Sequence, residues 1–142
     1  MAGVDLGLDR FQVFGGELPL RMEAERGPDP LAVVERAVFH WHKASAEITR
    51  EIVDAGYLVS VTPDLVYRNR DREMVESVPI ESLLVESDAP WPYQGEFESV
   101  TSGPWLVARV AEEVAKIKGL PADEATYQLT VNTCRLFDLV WA

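Results

Sequence analysis

Apolar positions in this chain fall into short unbroken runs, separated by longer stretches that repeat with a period near 3.6. Five runs have the composition of strands: Gly3 to Leu8, Leu18 to Met22, Ala37 to His40, Tyr57 to Thr62 and Ser82 to Glu86. Pro63 stops the fourth, and Ser87-Asp88-Ala89-Pro90 closes the fifth. Helices are predicted between and after them. In Ser45 to Ala55, Ile48, Ile52 and Val53 share a face, Ser45 with Glu47 marks a start, and Gly56 stands where a glycine ends a helix. Asp64 to Val78 is predicted as one helix that stops before Pro79. Pro104 to Gly119 carries the clearest period, through Leu106, Val107, Val110, Val114 and Ile117. Lys116 and Lys118 there suit the negative end of the helix dipole. A last helix is predicted from about Ala122 to Phe137.

Strands alternating with helices predict parallel βαβ units, and runs that are apolar throughout fit a sheet covered on both faces. The connection from Asp9 to Glu17 is too short for a crossover helix. At 142 residues the chain is one domain at most, and 47% hydrophobic residues suffice for a core. The net charge of -11 argues against broad electrostatic adhesion to nucleic acid; a nuclease with this surface needs bound cations to bring phosphates close. Cys134 is the single cysteine, so neither an internal disulfide nor a cysteine cluster for zinc can form. No apolar leader follows a basic start, and no run reaches a membrane span. A cytoplasmic setting with no membrane partner is expected.

In parallel α/β folds, functional side chains gather at the C-terminal ends of the strands. Asp5 lies in the first run, Glu23 follows the second, His40 and His42 end the third, and Glu86 and Asp88 end the fifth. Carboxylates and imidazoles converging there suit a hydrolytic centre for zinc, manganese or magnesium. Each residue also has a plainer role. A strand-end histidine is usually a hydrogen-bonded structural residue, Asp88 before Ala-Pro can cap a turn, and Asp5 and Glu23 can be solvated acids. Two-residue spacing predicts that His40 and His42 share a face, as do Glu86 and Asp88. Arg68, Arg70 and Arg72 form the basic cluster, read as a solvated helix face with a phosphate grip as the alternative. Trp91-Pro92-Tyr93 is a candidate pocket wall.

Leu83-Leu84-Val85-Glu86-Ser87-Asp88-Ala89-Pro90 resembles the end of the last barrel strand in TatD-type metal-dependent hydrolases, and Val78-Pro79-Ile80-Glu81 resembles its lead-in. Val38-Phe39-His40-Trp41-His42-Lys43-Ala44 is similar to the family's metal-histidine segment. Lys116 to Gly119 and Asn132 to Phe137 resemble its closing helices. Ala2 to Asp9 and Leu18 to Ala24 match more loosely. The resemblance implies an α/β fold, an incomplete TIM (β/α)8 barrel holding about the last five strands with their helices. Residues 1–142 would then be one N-terminally truncated domain, since a typical barrel runs to about 250 residues.

The resemblance also implies up to two divalent metal ions (Zn, Mn or Mg) and metal-activated water acting on phosphodiester bonds, with DNA or another small phosphoester as substrate. It makes His40 a ligand of one metal. Asp88 becomes a ligand of the other and the catalytic carboxylate that orients or deprotonates the water. Glu86 becomes a partner bonded to a ligand. Asp5 falls where the family has a bridging glutamate. Glu23 falls where it has histidine, which makes that site doubtful. His42 and Trp91 are expected to line the pocket. The family's opening H-x-H strand has no counterpart here. A catalytically inactive fragment, serving at most as an interaction module, therefore stands as the alternative. Open sheet edges predict either a monomer with an open sheet or a homo-oligomer joined edge to edge.

Overall fold

The computed structural model describes residues 11–13 and 36–140. The predicted strands Gly3 to Leu8 and Leu18 to Met22, with Asp5 and Glu23, lie outside those residues. The described elements run β1 (Phe11–Val13), β2 (Ala37–Phe39), α1 (Ala46–Asp54), β3 (Leu58–Val61), α2 (Asn69–Ser77), β4 (Leu83–Val85), α3 (Leu106–Lys118) and α4 (Ala122–Phe137). Short 3-10 turns at Pro63–Val66, Ile80–Ser82 and Gly95–Phe97 join them. The sheet order is β1-β2-β3-β4.

Three predicted strands appear as β2, β3 and β4, and they pair in parallel. The sheet is not parallel throughout, however. β1 pairs antiparallel with β2, Phe11 opposite Phe39 and Val13 opposite Ala37, inside the segment predicted to be a bare connection. A three-residue strand is too short for alternation or a run to reveal, and an antiparallel neighbour needs no crossover helix.

Ser45 caps α1 in extended conformation, its hydroxyl accepting from the Ile48 N–H, and Gly56 follows the helix at φ +83°, a left-handed value suited to glycine. The helix predicted over Asp64 to Val78 is two pieces. Tyr67 and Arg68 leave helical geometry between the 3-10 turn and α2, while the Asp64 carboxylate takes the Tyr67 hydroxyl and the Arg68 guanidinium locally. Side-chain bonding of this kind competes with helix continuation. α3 ends at Gly119 with φ +65°. Lys118 does more than offset its own helix dipole: Nζ donates to the Val78 carbonyl at 2.5 Å and to Glu76 O at 3.1 Å, satisfying the end of α2.

Alternating strand residues enter two clusters. Ala37, Val59, Val61 and Leu83 pack with Ile52, Leu65, Val75, Val110 and Val114 from the helical layer. Val38 and Leu84 face the other way and meet Leu136 of α4. The apolar runs are therefore explained by burial on both faces. Burying each such side chain contributes about 1.5–3 kcal/mol. α4 is fastened by Asn132, 1% exposed, whose Nδ2 donates to Ile80 O at 2.7 Å and Leu83 O at 2.8 Å. At its C-terminal end Arg36 donates to Arg135 O at 3.0 Å and forks onto Asp138. Because β2, β3 and β4 run the same way, the residues following each of them gather at one edge of the sheet.

Candidate metal centre

His40 follows β2 directly, and Glu86 and Asp88 follow β4. The sheet register brings them together: Glu86 N–H donates to Val61 O at 2.9 Å, which extends the ladder by one residue past the strand. His40 Nδ1 lies 2.5 Å from Glu86 Oε2, and His40 Nε2 lies 3.2 Å from Asp88 Oδ1. The other oxygen of Glu86 accepts from the Ser60 hydroxyl at 2.6 Å and from the Trp41 N–H at 2.8 Å. With its carboxylate filled by three donors, Glu86 has Nδ1–H of His40 as its imidazole partner, which leaves Nε2 facing Asp88. A carboxylate–histidine pair of this kind orients a metal-ligating imidazole. Asp88 adopts φ +42°, a left-handed value that aspartate tolerates better than most side chains. Tyr93, whose hydroxyl donates to Ser87 O at 2.7 Å, holds the loop around Asp88, and burial pushes its phenol up.

His42 does not join this group. Its Nε2 lies 2.7 Å from Thr49 Oγ1 of α1, and its ring packs edge-on against Phe39 with centroids 6.2 Å apart. The expectation that His40 and His42 share a face is corrected, because β2 ends at Phe39 and Trp41 turns to φ +44°, which breaks the two-residue alternation. Burial, and then the Lys43 charge, lower the His42 pKa to about 4, so the ring is neutral at neutral pH. Trp91, 47% exposed, meets Trp41 edge-to-face with centroids 4.8 Å apart. Asp5 and Glu23 lie outside the described residues.

The basic cluster is a solvated face, with Arg68 and Arg70 exposed, whose arginines each also meet a buried acid. Arg68 pairs with Asp64 and Arg70 with Asp71, both at 3.2 Å, while Arg72 bonds Glu113 of α3. Lys43 bridges the buried Asp64 and Asp71. Ser60, Asp64 and Lys43 are site residues that the sequence reading passed over. Ser60 is the polar residue inside an otherwise apolar strand, which is the one signal that marked it.

Among the described residues no three His, Cys, Asp or Glu side chains are grouped to hold a metal ion. The donor chemistry of the pair still fits one. An imidazole nitrogen and a carboxylate oxygen about 3 Å apart match two neighbouring ligands at roughly 2.0–2.2 Å each from a shared cation. Two surface hollows, one along α4 at Tyr127 and Val131 and one beneath Leu58 and Asn132, contain none of His40, Glu86 or Asp88.

The profile of the family described as TatD related DNase matches residues 20–138. An uncharacterized metal-dependent hydrolase of Haemophilus influenzae is 28% identical over 141 residues, covering 93% of this chain and 55% of that protein. The human protein named deoxyribonuclease TATDN3 is 28% identical over 103 residues, 72% of this chain and 37% of its own length. In three dimensions the chain is similar to the crystal structure of YJJV, a TATD homolog from Escherichia coli. The TM-score is 0.66 at 30% identity, over 72% of this chain and 40% of that one. The chain spans about half or less of the length of these relatives.

Proposed function

The chain belongs to the TatD related DNase family, and from that premise we propose that it contributes to a divalent-metal-dependent hydrolase of phosphodiester bonds, with DNA as substrate. The family's relatives are named as metal-dependent hydrolases, and the finer assignment draws its support from one observation. His40 Nε2 looks across 3.2 Å at a carboxylate oxygen of Asp88. An imidazole nitrogen and a carboxylate oxygen so placed can share a divalent cation between them. When bound, a divalent cation supplies Lewis acidity, making water a nucleophile near neutral pH and offsetting phosphoryl charge.

At 3.2 Å, His40 Nε2 and Asp88 Oδ1, expected on separate metals, would hold the same ion between them, with Asp5 and Glu23 as the proposed further ligands and zinc, manganese or magnesium as the ion. Glu86 keeps the imidazole aimed. Asp88 orients the attacking water and accepts its proton; the water oxygen bonds to phosphorus, the ester P–O bond breaks, and the proton passes to the departing oxygen. Trp91 walls the site on the side of Trp41. At the level of the fold we place residues 1–142 as one domain equivalent to the last strands of a TIM barrel.

The test is calorimetry with manganese and zinc on the chain and on His40→Ala and Asp88→Ala. Micromolar binding lost in either variant, followed by cation-dependent cleavage of a DNA oligonucleotide, is expected. Binding indifferent to both substitutions would falsify the reading. The second reading is an inactive fragment. Metal binding without cleavage would select it.

A further inference from the structure

We propose that Asp64 and Trp41 are a positioning pair that sets the aim of His40, a reading that rests on His40 being a metal ligand. Trp41 is the residue after His40 and holds φ +44°, a left-handed conformation that a bulky side chain rarely adopts. Unheld, it relaxes toward negative φ by rotating about its N–Cα bond, and that rotation swings the His40–Trp41 peptide.

The bonds that oppose the rotation come from different elements. The Trp41 backbone N–H donates to Glu86 Oε1 at 2.8 Å and to Ser60 Oγ at 2.9 Å. Its indole Nε1–H donates to Asp64 Oδ2 at 3.2 Å. The ring is flanked by Trp91, edge-on at 4.8 Å, and by Lys43 Nζ at 5.7 Å from its centroid. Asp64 is 2% exposed and is fixed in turn by Tyr67, Lys43 and Arg68. Burial alone pushes its carboxyl up, yet the Tyr67 hydrogen bond and the Lys43 and Arg68 charges outweigh that and hold the carboxylate charged. A fixed anion at the indole N–H therefore anchors the far end of a lever whose near end is the peptide N–H on Glu86. Glu86 is the group that orients His40 Nδ1. Loss of the anchor frees the lever, loosens Glu86, and lets the imidazole turn away from Asp88.

The experiment compares the whole chain with Trp41→Phe, Asp64→Asn and Asp64→Leu, using three readouts. These are thermal melting, the exchange rate of the His40 Nδ1–H proton by NMR without metal, and manganese affinity by calorimetry. Trp41→Phe keeps an aromatic ring, though a smaller one, and the backbone N–H but has no indole donor. It is expected to speed Nδ1–H exchange about tenfold and to weaken manganese binding about tenfold, the low end for loss of a ligand's hydrogen-bonded support. Asp64→Leu is expected to do the same, and Asp64→Asn, which retains an acceptor for the indole, to restore most of the protection. A lower melting temperature with wild-type exchange in Trp41→Phe overturns the proposal, since a purely structural role moves stability alone. Lack of a protected Nδ1–H proton in the wild-type chain overturns it as well. If the wild-type chain binds no manganese, the metal reading fails by itself, and the exchange arm still decides whether Asp64 and Trp41 position His40. Should Asp64→Leu not fold, Trp41→Phe carries the decision.

Discussion

His42 has an ordinary pKa of 6.5 that burial, followed by the Lys43 charge, lowers to about 4. In the unfolded chain the ring takes its proton near pH 6.5, whereas the folded chain refuses it until near pH 4. The unfolded state therefore binds more protons in that window, and the stability contributed by the neutral ring is lost as pH falls from 6.5 toward 4. Urea unfolding of the wild type between pH 7 and 4 is expected to show this loss, with a visibly flatter dependence in His42→Asn. Equal slopes in the two proteins would show that another group is responsible. At the same scale, removing the Ser60 hydroxyl with Ser60→Ala takes one donor from the half-buried Glu86 and one acceptor from Trp41. The cost is expected at about 1–2 kcal/mol of folding stability, read from chemical denaturation.

At the scale of elements, two polar side chains bind helices to their neighbours. Glu113 of α3 is 8% exposed at its side chain and meets Arg72 from α2, Arg109 at 2.9 Å and Lys116 at 3.4 Å. Burial pushes its carboxyl up, but the hydrogen bonds from Arg72, Arg109 and Lys116 outweigh it and bring the pKa down to about 2. Its stabilisation is present above the unfolded value near 4.5 and is lost as pH falls toward 2. Glu113→Gln should cost on the order of 2 kcal/mol at pH 7, after allowance for exposed partners, and almost nothing at pH 2. A constant cost across that range would assign the effect to packing instead. Asn132 bonds α4 to the Ile80–Ser82 turn and the start of β4. Asn132→Leu keeps the branched shape but leaves the Leu83 and Ile80 carbonyls without their donor, at an expected cost of about 2–3 kcal/mol in a thermal or urea melt.

For the whole molecule, the charge of -11 and the strand edge at β4 among the described residues set the expectations. Among the described residues β4 pairs on one side only, with β3. Glu86 N–H points to β3, so by strand alternation the Val85 N–H points outward. We propose that copies of the chain associate through this edge. Light scattering would then show a dimer that Val85→Pro, which removes an outward donor and spares the β3 ladder, converts to monomer. A wild-type mass that stays monomeric at every concentration ends that idea.

Much of this was legible in the residues themselves. The period of Leu106, Val110 and Val114, the Ser45 cap and the proline at 79 place helices and their ends, because they act over three or four residues. The run from Leu83 to Pro90 and the segment around His40 point to the family and to the pair His40 and Asp88, since those residues are close in sequence to the strands that carry them. Other features depended on tertiary structure. That β1 joins antiparallel beside β2, that His40 turns to Glu86 and that Arg72 meets the buried Glu113 all follow from contacts between distant segments. A left-handed Trp41 held by an aspartate 23 residues away leaves no local mark at all. Local patterns record propensity and burial; the partner of a polar atom is chosen only when the chain closes on itself.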